Sequence, residues 1–266
     1  MTLGAPLAIR AVAALFVVLM IVFLLAPLVV VMAASLSAGG YLVFPPQGLS
    51  LKWYAEILAD RRYQEALTTS CVIALLSTAI AVPLGTAGAI ALTRFRFPGR
   101  SAAQLLFLSP LLFPTIVVAI GLLILASRLL GGSSIAVIVA GHVALAIPFV
   151  VRTVGAVLEG VDRATEEAAR VMGANAWRRY SLVVLPQCKS GIMAGTLLAF
   201  LVSFDDAVLV LFLRTPSIDT LPLRIYASLE FSPDPGVAAA STILILMAAF
   251  VVLISERLLA GRHVVG

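Results

Sequence analysis

Six stretches of this chain are apolar for long enough to cross a hydrocarbon core: residues 9–35, 66–93, 102–130, 133–158, 191–213 and 237–259. A spanning α-helix needs about 20 such residues, because in lipid every backbone N–H and C=O must be satisfied within the segment. A spanning strand would instead show roughly ten-residue alternation of apolar and polar positions. Runs such as LFVVLMIVFLLAPLVVVM do not alternate, so the expectation is an all-α integral membrane protein with six transmembrane helices. Composition agrees, with 62% of 266 residues hydrophobic and only 12% charged, well away from water-soluble domains. The first run is followed by AASLSA, which looks cleavable. It is much longer than the core of about 7–15 residues of a signal peptide, and is read as a retained anchor.

Six crossings put both termini on one side, and Lys/Arg bias says which. With a cytoplasmic N-terminus the inner segments hold eleven Lys/Arg, the outer ones six, and Arg152 lies within a span. Both termini are therefore expected in the cytoplasm. The net charge of +5 follows from this loop bias, so no nucleic-acid partner is expected. Cys71 and Cys188 have no spacing that argues for a disulfide or metal site. The expected organisation is an N-terminal anchor and first outer segment at 1–65, a core at 66–260 with an inner loop at 159–190, and a tail at 261–266.

The loop between spans four and five breaks the apolar pattern. In TEEAARVMGANAWRRYSLVVLP, Asp162 stands where an N-cap would, Glu166 and Glu167 fall in the early turns and Arg170 near the end, which complements a helix dipole at both ends. Gly173 supplies a stop, and Asn175 can cap a second helix. Ala164, Ala168 and Met172 share one face, and Glu166 and Arg170 lie on another. A helix lying on lipid headgroups buries Trp, Phe and Leu. A smooth alanine face suits docking into another protein.

The stretch EAARVMGANAWRRYSLVVLP resembles the signature loop of permease subunits of binding-protein-dependent type I ABC importers: EAA, three residues, G, nine residues, I, one residue, L, P. Glu167, Ala168, Ala169, Gly173, Leu185 and Pro186 match, with Val183 in place of Ile. In that family the loop is a cytoplasmic coupling helix seated in a separate ATPase subunit. The resemblance therefore implies that Glu166, Glu167, Ala168, Ala169, Arg170, Gly173, Leu185 and Pro186 couple to an ATPase. It also implies a second permease subunit, two ATPase subunits carrying ATP and Mg, an extracytoplasmic solute-binding protein, surrounding lipid, and a bacterial cytoplasmic (inner) membrane location. No cofactor on this chain and no catalytic residue is implied. The chain lacks the Gly-Lys-Ser/Thr of a phosphate-binding loop, its two lysines following Leu51 and Cys188.

GHVALAIPFVVRTV, LLAFLVSFDDAVLVLFL and TLPLRIYASLEFSPDPGVAAASTILIL extend the resemblance to the spermidine/putrescine permease group. Importers of 2-aminoethylphosphonate, opines and ferric iron share much of it. That group carries an acid just after the second proline of LSPLLFPTIVVAIGLL, where this chain has Thr115.

In SFDD, Asp205 lies about 21 Å along a helix from Gly191, inside a core about 30 Å thick. His142 lies about 14 Å from Ser133, at comparable depth. Ionisable groups there usually face an aqueous path or a partner. Asp205, Asp206, Thr115 and His142 are the candidate substrate-path residues, with Asp206 or Asp205 pairing to His142 as the alternative. Adjacent acids point about 100° apart, so both are not expected to serve one ligand. Pro110 and Pro114 are expected to kink the third span. The expected function is import of a small amine-bearing solute such as putrescine or spermidine. A secondary transporter would commonly show internal repeats, and aspartyl chemistry needs carboxylates on separate elements; neither pattern is found.

Overall fold

The computed structural model describes residues 7–231 and 233–260; the expected tail at 261–266 lies outside them. The described residues form α1 (Leu7–Ala34), α2 (Lys52–Ala59), α3 (Arg61–Arg94), α4 (Arg100–Leu108), α5 (Thr115–Leu129), α6 (Ile135–Glu159), α7 (Arg163–Val171), α8 (Ala176–Arg179), α9 (Leu185–Gln187), α10 (Lys189–Phe204), α11 (Val208–Leu213), α12 (Leu221–Phe231) and α13 (Pro235–Ala260). Four helices, α1, α3, α6 and α13, are each long and apolar enough to cross a membrane unbroken. Counting each of two bent pairs, Arg100–Leu111 with Thr115–Leu129 and Ala176–Gln187 with Lys189–Phe204, as one crossing gives the six expected.

Two compact units form. One gathers residues up to Arg61 with Ala227–Leu246, and the other Arg62–Tyr226 with the chain from Met247. In the first, the end of α1 is tied to α2: the Tyr54 and Ser35 hydroxyls share a 2.6 Å hydrogen bond, and the Trp53 indole N–H donates to the Ser37 carbonyl at 3.0 Å. None of the apolar window of α1 is buried, as expected of a helix whose solvent is lipid.

The second unit is built around α6, the most buried of the unbroken spans. Small residues let its neighbours approach. A Cβ on Gly85 of α3 would fall 2.6 Å from the Val150 Cβ, and one on Gly191 of α10 would fall 2.7 Å from the Thr153 carbonyl oxygen. Lipid tails are as apolar as leucine, so such backbone contact, rather than exclusion of water, holds helices together here. At the outer end, the Leu221 N–H that opens α12 donates to the buried Ser70 hydroxyl of α3 at 2.9 Å.

The third and fifth expected spans both depart from straight helices, and in the fifth Ala176–Gln187 meets Lys189–Phe204 at a 75° bend before α10 itself breaks. The prolines do more than kink the third span. The chain passes from α4 through a 3-10 turn at Ser109–Leu111, and α5 restarts after Pro114 at 102° to the preceding segment. With 15 residues, α5 alone is about 22 Å long, shorter than the core. The fifth span, expected unbroken over 191–213, ends at Phe204 and resumes at Val208. Aspartate competes with the helix ladder for nearby N–H groups, and the Asp206 carboxylate accepts the Leu209 N–H at 2.7 Å. Those three residues, Asp205 to Ala207, form a break that hydropathy alone could not show.

Candidate functional site

Two polar regions of the second unit hold the candidate residues, and they differ in how their polar groups are satisfied. In the segment between α6 and α10, α7 runs from its cap as expected, with Asp162 Oδ1 accepting the Ala164 N–H at 2.9 Å. Gly173 reverses the chain at φ +83. No atom stands within 4 Å of where its Cβ would be, so backbone conformation alone asks for glycine there. Asn175 Oδ1 then accepts the Arg178 N–H at 2.9 Å and opens α8. Pro186 offers no N–H to the preceding turn, and Tyr180–Val184 widens to a π-helix. The Gln187 side-chain amide donates to the Val183 carbonyl at 2.8 Å across that widened turn.

The expected coupling residues divide into two sets. Glu167, Ala168, Arg170, Gly173 and Pro186 are exposed. Leu185 is half-buried, Ala169 is buried, and Glu166 turns inward to meet Arg94 Nε at 2.6 Å with only 12% of its side chain exposed. Ala164, Ala168 and Met172 form the exposed alanine-bearing face that the spacing predicts, and Val171, Met172, Trp177 and Leu182 carry it on, each more than two-thirds exposed.

Arg94 and Arg163 take part without having been singled out in the sequence. The end of α3 leaves carbonyls with no intrahelical partner. Arg163 Nη2 donates to the Thr93 carbonyl at 3.0 Å and Arg100 Nε to that of Leu92 at 2.7 Å. Arg94 Nη2 donates in turn to Val161 at 2.9 Å. Arginine in the last turn of a helix was a visible signal for such contacts; its partners some 70 residues away were not. Arg152, which lies within a span, lines a pocket of about 280 Å³ with Arg100, Gln104 and Glu159.

The second region is the α10–α11 break. His142 is 1% exposed, and neither ring nitrogen has a hydrogen-bond partner among the described residues. Its Nε2 stands 3.7 Å from Asp206 Oδ1, the same oxygen that accepts the Leu209 N–H. Asp206 is thus engaged twice within the fold, whereas Asp205 is exposed. Gly141 lets α6 reach this point, since a Cβ there would fall 2.8 Å from Leu122 and 2.9 Å from Leu209. Leu122 therefore marks the depth of His142 on α5. Thr115, seven residues earlier on the same helix, lies about 10 Å farther inward. Among the described residues no hydrogen bond or ion pair joins Thr115 to the aspartates, and none of the groups of three or more His, Cys, Asp or Glu is placed to hold a metal.

Residues 79–263 match the family described as the binding-protein-dependent transport system inner membrane component. The spermidine/putrescine transport system permease protein PotC of Escherichia coli (strain K12) is 33% identical over 213 residues, 79% of this chain and 80% of that protein. The putrescine transport system permease protein PotI of the same strain is 30% identical over 245 residues, 90% of this chain and 87% of that protein. Among solved structures, a chain of a bacterial alginate ABC transporter, in complex with an alginate pentasaccharide-bound periplasmic protein, superposes with a TM-score of 0.74 at 17% identity, covering 97% of this chain and 94% of that one. Likeness at that identity speaks to the fold alone.

Proposed function

The chain belongs to the family of inner membrane components of binding-protein-dependent transport systems, and from that premise we propose that it carries a small amine-bearing cation into the cytoplasm, driven by ATP that a partner subunit hydrolyses. It works beside a second permease subunit, with two ATPase subunits bearing ATP and Mg, an extracytoplasmic solute-binding protein, and both termini in the cytoplasm. The ATPase docks on the exposed face of α7 and α8. The observation that carries this reading is the exposure of Val171, Met172 and Trp177, at 88%, 81% and 80%, beside a charged inner helix. Burying such a contiguous apolar surface on a partner is favourable, and leaving it in water is not.

Closure of the ATPase moves α7, the spans rearrange, and solute released from the binding protein enters between the two permeases. Asp205 offers its carboxylate to an ammonium group there. Asp206 holds the break in place through the Leu209 N–H, and His142 stands beside it. A single open carboxylate matches a single ammonium, which favours a short amine, or a zwitterion such as 2-aminoethylphosphonate, over a long polyamine.

The test is ATPase activity of the complete reconstituted complex with its binding protein, for wild type and Asp205→Asn, against putrescine, spermidine and 2-aminoethylphosphonate. The expected result is stimulation by one of these amines that is lost in Asp205→Asn with the complex intact. Equal stimulation in the variant would remove Asp205 from the path, and import without an ATPase subunit would overturn the whole reading.

A further inference from the structure

We infer that the Arg94–Glu166 ion pair makes α3 a second lever of the coupling segment, so that movement of α7 reaches the spans through α3 as well as along the chain into α6 and α10. This rests on the proposed docking of an ATPase on α7. Three contacts join the inner end of α3 to the segment: Arg94 Nε to Glu166 Oε1 at 2.6 Å, Arg94 Nη2 to the Val161 carbonyl at 2.9 Å, and Arg163 Nη2 to the Thr93 carbonyl at 3.0 Å. They run in both directions, with a side chain of α3 gripping the segment and a side chain of the segment gripping α3. The Phe95 and Tyr180 rings, 6.3 Å apart, add an apolar contact just beyond.

Burial separates this pair from an ordinary surface salt bridge. The Arg94 and Glu166 side chains are 5% and 12% exposed, and an ion pair out of water holds its geometry, because parting the charges leaves each uncompensated. Exposed pairs form and break freely and transmit little. The far end of the lever is also defined. Gly85 of α3 lies against Val150 of α6, with no room for a Cβ between them, so α3 cannot shift at its inner end without displacing α6. Packed interfaces of this kind pass on displacement rather than absorb it. Arg94 and Glu166 are positioning residues in this account. Neither touches solute or nucleotide.

The experiment measures solute imported per ATP hydrolysed in proteoliposomes holding the complete complex. Arg94→Gln is expected to assemble with the ATPase yet lose about tenfold in that ratio, the scale of a typical coupling free energy. The charge swap Arg94→Glu with Glu166→Arg is expected to restore much of it. A purely structural role would change yield or assembly without moving the ratio. Because Arg94→Gln could misfold by stranding Glu166, a second variant reads the same quantity reversibly. Arg94→Cys with Glu166→Cys, in a background of Cys71→Ala and Cys188→Ala, is joined by a short bifunctional thiosulfonate and released by reductant. Coupling should be high when joined and low when released. An unchanged ratio in assembled Arg94→Gln, or the same ratio before and after release, would overturn the lever. Wild-type import without ATP would instead overturn the reading on which it rests.

Discussion

The inner coupling segment and the α10–α11 break are both polar interruptions of an apolar chain, yet they are built on opposite principles. In the segment, α7 and α8 start on side-chain caps, from Asp162 and Asn175, and the buried charges of Arg94 and Glu166 meet. In the break, a buried histidine has no hydrogen bond at either nitrogen, and one of two neighbouring acids has nothing engaged with it but its own helix end. An unmade hydrogen bond in low dielectric costs about 1–3 kcal/mol. Among the described residues Arg94 Nε and Glu166 Oε1 also lack a formal hydrogen bond, but they face each other as opposite charges at 2.6 Å, whereas His142 has only the 3.7 Å approach of Asp206. Residues that break local rules in this way mark where function is expected.

That contrast can be broken in several ways, from the largest expected effect downward. Gly173→Val forces a β-branched residue into the left-handed region, which costs about 1–2 kcal/mol or more. Import per ATP should fall by about tenfold at least while the complex remains assembled; a normal ratio would show that the reversal at Gly173 does not set the docking geometry. His142→Leu is expected to do the reverse of a usual core substitution. Removing an unpaired buried polar group should raise resistance to denaturant unfolding in detergent by about 1–3 kcal/mol, while solute-stimulated ATPase activity falls. Destabilisation instead would mean that His142 is paid back structurally through Asp206. Asp162→Ala removes one cap and should cost about 1 kcal/mol, seen as lower thermal stability of the purified chain with solute selectivity unchanged. Asp206→Asn should have the smallest effect on stability, within about 1 kcal/mol, because Asn also caps well. A loss much larger than that would make the His142 contact a charged pair that holds the break.

The segment was far more legible in the sequence than the break. Asp162, Gly173 and Asn175 act on groups two or three residues away, so their spacing alone gave a helix, a reversal and a second helix. The face of Ala164, Ala168 and Met172 followed from helical period in the same way. Glu166 was grouped with the docking residues, and its contact with Arg94 was not legible, because which side of α7 faces the rest of the chain depends on a residue 72 positions earlier in the sequence. In the membrane, depth along a helix put His142 and the aspartates at one level, which the 3.7 Å approach bears out. Thr115 was grouped with them from its place beside Pro114, and the restart of α5 carries it about 10 Å away along the helix axis.

What the sequence determined by itself was the material: six apolar lengths that lipid admits only as helices, a charged segment between spans carrying its own caps, and carboxylates where carboxylates are expensive. These follow from local chemistry, since helix hydrogen bonds close over four residues and caps over three. Tertiary structure alone decided which acid is engaged and which stays open, where two of the spans break, and that α3 holds the coupling segment. The engagement of Asp206 by His142 and the hold of α3 on the segment depend on contacts between residues tens of positions apart, where glycines such as Gly85, Gly141 and Gly191 admit one helix to the backbone of another, and no local preference encodes which helix that will be.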